Sequence, residues 1–253
     1  MKYISAIRKL AKNRILYNSL TYGFNIGFCP ICSRRTFFYK QGKWLRDQYR
    51  CIRCNSIPRN RALVHVLNTH FPEWSSACIH ESSPGGASST KIAAECVHYI
   101  SSNFYPDIPS GQYFGKHRSE NLEVQTFDDE TFDLVITQDV MEHVFNPQNA
   151  FAEIARTLKP GGAHVFTVPW YYWKDTVVRA IFRDRHIEYL EKPVYHSNPI
   201  DKNGSLVTID YGRDFCDFIY LASNMSTTVI QIKDIHMGID AKFIEVFISR
   251  KNK

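Results

Sequence analysis

The chain has 253 residues, 44% hydrophobic and 22% charged, which excludes a wholly disordered, collagenous or coiled-coil chain and leaves ample material for a core. Its net charge of +6 is uneven: residues 1–70 hold 14 Lys and Arg against one acid, Asp47, a local +13, so the remainder carries 17 − 24 = −7. A basic front end on an acidic body points to an anionic partner or substrate near the N-terminus. No stretch passes as an apolar membrane helix, and Lys2, Arg8, Lys9, Lys12 and Arg14 interrupt any signal sequence, so a cytoplasmic protein is expected.

Residues 1–24 predict a basic helix. Tyr3, Ile4, Ile7, Leu10, Ala11 and Ile15 recur at steps of three and four, with Arg8, Lys9, Lys12 and Arg14 elsewhere. Packing on the rest of the chain is the favoured role; contact with an anionic membrane surface is the alternative.

Residues 25–57 carry Cys29/Cys32 and Cys51/Cys54, two C-x2-C pairs separated by 18 residues. That spacing suits a four-thiolate zinc site, each pair aiming two sulfurs at one tetrahedral ion. Thr36-Phe37-Phe38-Tyr39 and Trp44 between the pairs read as a short hairpin, completing a zinc ribbon. Four thiolates leave no open position for water, so the metal is structural. Cys78, Cys96 and Cys216 lie in apolar segments and read as core residues. Residues 58–75 predict a linker helix opening at Pro58-Arg59-Asn60-Arg61. Arg59 and Arg61 either hold a phosphate or carboxylate or are solvated charges.

From residue 76 short apolar runs alternate with helical segments, as in a parallel sheet covered by helices. Strands are expected at Ala77–His80, His98–Ser101, Phe132–Thr137 and Ala163–Val168, and helices at Ser88–Val97 and Asn149–Leu158. Thr227–Ile235 and Lys242–Ser249 alternate as a closing hairpin. Ligands of such folds bind at the carboxyl ends of the strands. The turn Ser83-Pro84-Gly85-Gly86 occupies that place after the first body strand, but it lacks the G-x-G-x-x-G spacing of a dinucleotide site and is no P-loop.

Three pieces between Asn121 and Pro169 carry a resemblance: F-D-D-E-T-F-D-L-V-I, the E-H-V after that strand, and a helix ending R-T-L-K-P-G-G. The segment resembles the class I S-adenosylmethionine-dependent methyltransferases, in particular their type 11 small-molecule group. S-I-P-R-N-R-A-L, Ser56 to Leu63, is similar to a subgroup with an N-terminal zinc ribbon. The resemblance implies an α/β Rossmann-like sheet, parallel with a closing antiparallel hairpin, over residues 76–253. It implies S-adenosyl-L-methionine as cofactor beside the structural Zn2+.

Carried over residue by residue, the resemblance puts the first cofactor motif at Glu81 through Gly86, with Ser83 and Gly85 at glycine positions and Pro84 a departure. The ribose position falls on Asn103 and the adenine position on Asn121, both amides where acids are usual; Leu122 supplies backbone contact. Thr137, Gln138 and Asp139 are expected to face the methionine end of the cofactor. His143 is the candidate general base, with Glu142 and Asp139 as lesser ones and His196 as a second acid or base; packing of His143 against the following helix is the alternative. The aromatic run Trp170-Tyr171-Tyr172-Trp173 reads as an acceptor wall or a lid.

The leading expectation is methyl transfer to an anionic small-molecule or saccharide acceptor, such as a nucleotide- or lipid-linked sugar of surface-glycan synthesis. RNA held by the basic ribbon is an alternative. It is opposed by Thr137-Gln138-Asp139-Val140 standing where amino-directed nucleic-acid methyltransferases carry an N/D-P-P-Y/F tetrad. A catalytically inactive fold serving as a binding module is the third reading.

Overall fold

The computed structural model describes residues 13–197 and 202–253. Residues 13–22 are helical (α1); the earlier part of the expected basic helix lies outside the described residues. The described turns bury Asn18 and Ser19 and expose Leu16, Tyr17 and Leu20; of the expected apolar stripe only Ile15 lies among the described residues, where it is half-buried.

The cysteine region is a three-stranded antiparallel sheet, β1 (Phe24–Cys29), β2 (Arg34–Lys40) and β3 (Tyr49–Cys51), with the one-turn helix α2 (Leu45–Gln48) between β2 and β3. The expected hairpin between the cysteine pairs is β2 with β3, and β2 also pairs with β1: Phe38 lies opposite Asn25 on one side and Cys51 on the other. Each cysteine pair ends on a left-handed residue, Ser33 at φ +49° and Asn55 at φ +56°, which turns the chain back beneath its sulfurs.

Helix α3 (Pro58–His70) starts with proline at its first position, where a missing N–H costs nothing. Its buried residues serve two cores. Val64 packs with Cys29, Phe38 and Tyr49 of the ribbon, while Ala62, Leu63, Val66 and Leu67 pack with Ile79, Ile92 and Leu134 of the body. A fully buried side chain of this kind contributes about 1.5–3 kcal/mol, so one helix fastens both regions.

The body runs β4 (Cys78–Ser82), α4 (Gly86–Glu95), β5 (His98–Asn103), β6 (Tyr113–Phe114), β7 (His117–Ser119), β8 (Phe132–Gln138), α5 (Pro147–Thr157) and β9 (Leu158–Thr167). Residues 170–212 hold the short strands β10 (Trp170–Tyr171), β11 (Val177–Val178), β12 (Ala180–Arg183), β13 (His186–Tyr189), β14 (Tyr195–His196), β15 (Ser205–Leu206) and β16 (Ile209–Gly212). Helix α6 (Phe215–Ser223), β17 (Ser226–Ile230) and β18 (Val246–Arg250) complete the chain. The main sheet has the order β17-β18-β9-β8-β4-β5-β7-β6. Neighbours from β9 to β7 are parallel, and β18 is antiparallel to both β9 and β17.

Strand β4 has β8 on one side and β5 on the other, so connections diverge there and open a crevice at the strand ends. Phe132, Phe151, Phe166, Phe215 and Phe247 fill one face of the sheet; Ile79, Leu134, Ile136, Val165 and Ile248 fill the other. The closing hairpin is shorter than expected because residues 231–245 leave the sheet to reach the ribbon. The carbonyl of His236 accepts from Phe28 N at 2.7 Å. Gly238, at φ +65°, lies so close to Phe38 that a Cβ would sit 2.8 Å from its ring.

Candidate functional site

The crevice is built from strand ends. Glu81, near the end of β4, is fully buried and accepts from Ser89 Oγ at 2.6 Å, Tyr99 OH at 2.7 Å and Gln138 Nε2 at 2.8 Å. Burial raises its pKa, and these three donors oppose the rise. Ser83 takes φ +55°, the conformation that would otherwise call for glycine, and Gly86 takes φ +77° at the start of α4. Gly85 has extended backbone, and a Cβ there would meet nothing within 4 Å, so it faces open space. The glycine that the backbone demands is therefore Gly86, one residue beyond the position expected.

Asn103, at the end of β5, is buried with its amide donating to Tyr105 OH at 3.1 Å. Asn121 Oδ1 accepts from Glu123 N at 2.9 Å, an Asx turn that employs the acceptor oxygen expected to meet adenine. Leu122 packs into the core. Thr137 departs from expectation: it is fully buried and its hydroxyl meets His164 Nε2 at 2.9 Å, because alternate residues of β8 face opposite sides of the sheet. Gln138 does reach the crevice, where its oxygen accepts from Ser88 Oγ at 2.7 Å and Asn60 Nδ2 at 3.3 Å.

Asp139 belongs to the ribbon interface. Its Oδ2 accepts from Arg46 at 2.7 Å and Arg59 at 2.5 Å, and its Oδ1 from Thr167 Oγ1 at 3.1 Å. Burial alone would raise its pKa; Arg46 and Arg59 outweigh that and hold it at about 2. A carboxylate held this way is a poor proton acceptor, so Asp139 does not serve as a base. Two guanidiniums thus meet one carboxylate at the end of β8. Arg59 is paired there and with Asp47 at 3.4 Å, so it is not a solvated charge.

Arg61 is fully buried. It donates to the carbonyls of Ser56, of Tyr49 at 2.9 Å and of Gly238 at 2.6 Å, tying α3, ribbon and body together. It is thus neither solvated nor a phosphate contact. Burial lowers its pKa to about 10, opposed by Cys29, Tyr49, Cys51 and Cys54. The sulfurs of Cys29, Cys32, Cys51 and Cys54 all lie within 4.8 Å of one another, Cys29 to Cys54 at 3.7 Å and Cys32 to Cys51 at 4.0 Å. Four ligands about 2.3 Å from a tetrahedral zinc would be roughly 3.8 Å apart, so the set fits that ion.

A second cluster follows β8. The single turn Met141–His143 is held by residues 206–211: Thr208 N donates to the Glu142 carbonyl at 2.8 Å and Tyr211 OH to the Met141 carbonyl at 3.0 Å. Glu142 is 2% exposed, and neither carboxylate oxygen has a hydrogen-bond partner among the described residues. His143 Nδ1 donates to the Leu206 carbonyl at 2.8 Å, leaving Nε2 as the lone-pair atom, 3.8 Å from Glu142 Oε1. His196 Nδ1 lies 3.6 Å from the same oxygen, and the two imidazoles are edge to face at 5.0 Å. Three of the four expected acid–base residues therefore meet, and the loop from 170 to 212 supplies the third.

An aromatic group adjoins the arginines. Phe243 lies 5.2 Å from Tyr171, 6.0 Å from Trp173 and 6.2 Å from Trp44. Arg46, Asn60 and Phe243 were missed as site residues. Each lies far in sequence from what it meets, and no local spacing marks it.

With this geometry in place, the comparisons are specific. Residues 93–166 match the family described as a methyltransferase domain. The fold is shared with an S-adenosylmethionine-dependent methyltransferase from Mesorhizobium loti, 13% identical, covering 75% of this chain and 98% of that one at a TM-score of 0.50. CalS10, an amino pentose methyltransferase from Micromonospora echinaspora, is 14% identical and covers 79% and 94% at a TM-score of 0.51. No curated protein matches the sequence. The matched segment lies within the body, whose fold is that of these methyltransferases, and together they support a methyltransferase domain. The enzyme is of the S-adenosylmethionine-dependent class.

Proposed function

We propose that the protein transfers a methyl group from S-adenosylmethionine to an oxygen of an anionic small-molecule or saccharide acceptor, a nucleotide- or lipid-linked sugar being the best fit. The observation that carries this reading is the Arg46–Asp139–Arg59 contact, which sets one cation of the ribbon and one of α3 at the end of β8 beside the crevice. Phosphate suits such a pair. The rings of Trp44, Tyr171, Trp173 and Phe243 beside it suit a sugar or base face. On this reading Glu81, Ser83, Gly85, Asn103, Asn121, Leu122 and Gln138 form the cofactor's surroundings.

Transfer needs the acceptor oxygen, methyl carbon and sulfur in line. The new bond forms from oxygen to methyl, the methyl–sulfur bond breaks, and its electron pair stays on sulfur, giving S-adenosylhomocysteine. The hydroxyl proton must also leave. With Asp139 committed to arginines, the Glu142–His143–His196 cluster is the group that activates the acceptor.

We assign the four cysteines to structural zinc. Arg61 supports this: a buried guanidinium with Cys29, Cys51 and Cys54 among its neighbours is balanced when those sulfurs are thiolates. Arg61 is fully buried and donates to carbonyls, so it offers nothing to an RNA backbone. No helix of the described residues is long and apolar enough to cross a membrane. The test is transfer of labelled methyl to a panel of nucleotide-linked sugars and to RNA. Label in the sugars that falls at least about tenfold in Arg46→Ala supports the reading; label confined to RNA overturns it.

A further inference from the structure

We propose that Glu142, His143 and His196 hold a divalent first-row transition cation, distinct from the cysteine site. This inference rests on the acceptor-side reading above and names how that side works. Carboxylate Oε1 and the two imidazole nitrogens lie within 4.8 Å of one another. The 3.6 and 3.8 Å separations to Glu142 Oε1 are too long for hydrogen bonds. They suit a shared ion: with bonds of about 2.1 Å they correspond to angles of roughly 120–130° at the metal.

An independent observation points the same way. Glu142 is 98% removed from solvent by its 2% exposure, and both its oxygens lack a hydrogen-bond partner among the described residues. A buried, unpaired carboxylate costs several kcal/mol unless something positive meets it. Its cavity is about 100 Å³ and is lined by His196, Tyr171, Arg179 and Asp210 as well as Glu142. That is room for an ion and about two oxygen ligands.

The ligands are also oriented as metal ligands are. The Nδ1–H of His143 is fixed on the Leu206 carbonyl, so its Nε2 lone pair is presented toward Glu142. Two histidines and one carboxylate leave open positions and favour Mn2+, Fe2+, Co2+ or Zn2+ over the hard alkaline-earth ions. Arg179 lines the same cavity, shares the Asp210 carboxylate at 3.1 Å with Lys174 at 2.8 Å, and has a buried Nε without a partner among the described residues. A cation in this place would acidify a bound acceptor hydroxyl, whose proton passes to water as the oxygen takes the methyl.

The experiment is a Co2+ titration of the chain loaded with one equivalent of zinc, followed by visible spectroscopy and calorimetry, with S-adenosylhomocysteine titrated separately. One equivalent of Co2+ with ligand-field bands and no sulfur charge-transfer band is expected. Glu142→Gln and His196→Ala should each weaken uptake at least about 100-fold. His196 is 42% exposed, so its variant keeps the test valid if Glu142→Gln does not fold. No uptake by the parent, or uptake unchanged in His196→Ala, overturns the proposal. Cobalt uptake without S-adenosylhomocysteine binding would leave the metal site standing and sink the cofactor reading. Binding of S-adenosylhomocysteine without cobalt uptake would do the reverse.

Discussion

The ribbon cluster and the post-β8 cluster gather metal-binding side chains by opposite means. The first draws four sulfurs from two local turns, within residues 29–54, and places a buried cation, Arg61, beside them. The second draws neighbours Glu142 and His143 from one turn and His196 from a distant strand, and it opens on a cavity. A closed, four-ligand site leaves nothing for a substrate, so it can only hold the fold. An open, three-ligand site carries a buried carboxylate with no hydrogen bond among the described residues, which a bound cation would balance. The contrast separates a part that positions from a part that reacts, and it can be broken at either end.

The largest effect is expected from the closed site. Structural zinc in small domains is worth about 10–16 kcal/mol in apparent binding, so Cys51→Ser should unfold the ribbon. Arg46, Arg59 and Asn60 would lose their placement with it. Metal content should fall by one zinc per chain, and S-adenosylhomocysteine affinity by at least about 100-fold. A variant that binds the cofactor product normally would show that the two regions are independent.

Next comes Arg61→Met. Removing a buried cation beside thiolates, together with its three carbonyl contacts, should cost about 3–5 kcal/mol in chemical denaturation. Loss below about 1 kcal/mol would mean that the sulfurs carry no net charge in the fold.

Acid should act on the body through His80 and His164. Burial lowers both from 6.5 to about 3. Between those values the unfolded chain binds more protons, so stability is full above pH 6.5 and falls as pH drops toward 3. Each histidine contributes up to about 1.4 kcal/mol per pH unit. His164→Phe, at a position stacked on Phe166 at 4.2 Å, should halve the histidine part of the slope between pH 6.5 and 5 in zinc-saturated samples. An unchanged slope would assign the pH response to carboxylates.

The smallest effect is at the cofactor turn. Gly86→Ala forces φ +77° on a residue with a Cβ, which would sit 3.4 Å from Asn60, and should cost about 1–2 kcal/mol in thermal or chemical unfolding. A neutral result would mean that the turn relaxes freely.

What could be read from the sequence follows the range of the interaction. The cysteine pairs, the Pro58 helix start and the strand at Phe132–Gln138 are marked by neighbours in the chain, and each is found there. The cluster at Glu142 and His143 was visible as a pair after a strand, and His196 separately. Their meeting depends on Leu206 and Thr208 anchoring the turn from more than 60 residues away. Thr137 was misjudged because one step along a strand reverses the face. Arg61 looked like any basic residue; only the fold reveals that it is wrapped by carbonyls and sulfurs. Asp139 looked like a base until Arg46, 93 positions away, was seen to hold it.

The most direct test of the central claim is calorimetric titration of the folded, zinc-loaded protein with S-adenosylhomocysteine, alongside Gly85→Val and Asn103→Ala. Gly85 has extended backbone and open space, so valine there should leave the fold intact while filling the crevice. Binding at about micromolar or tighter, abolished by Gly85→Val and weakened roughly fivefold to tenfold by Asn103→Ala, is the expected result. No binding in the parent protein, or equal binding in Gly85→Val, would contradict a cofactor site at the ends of β4 and β5.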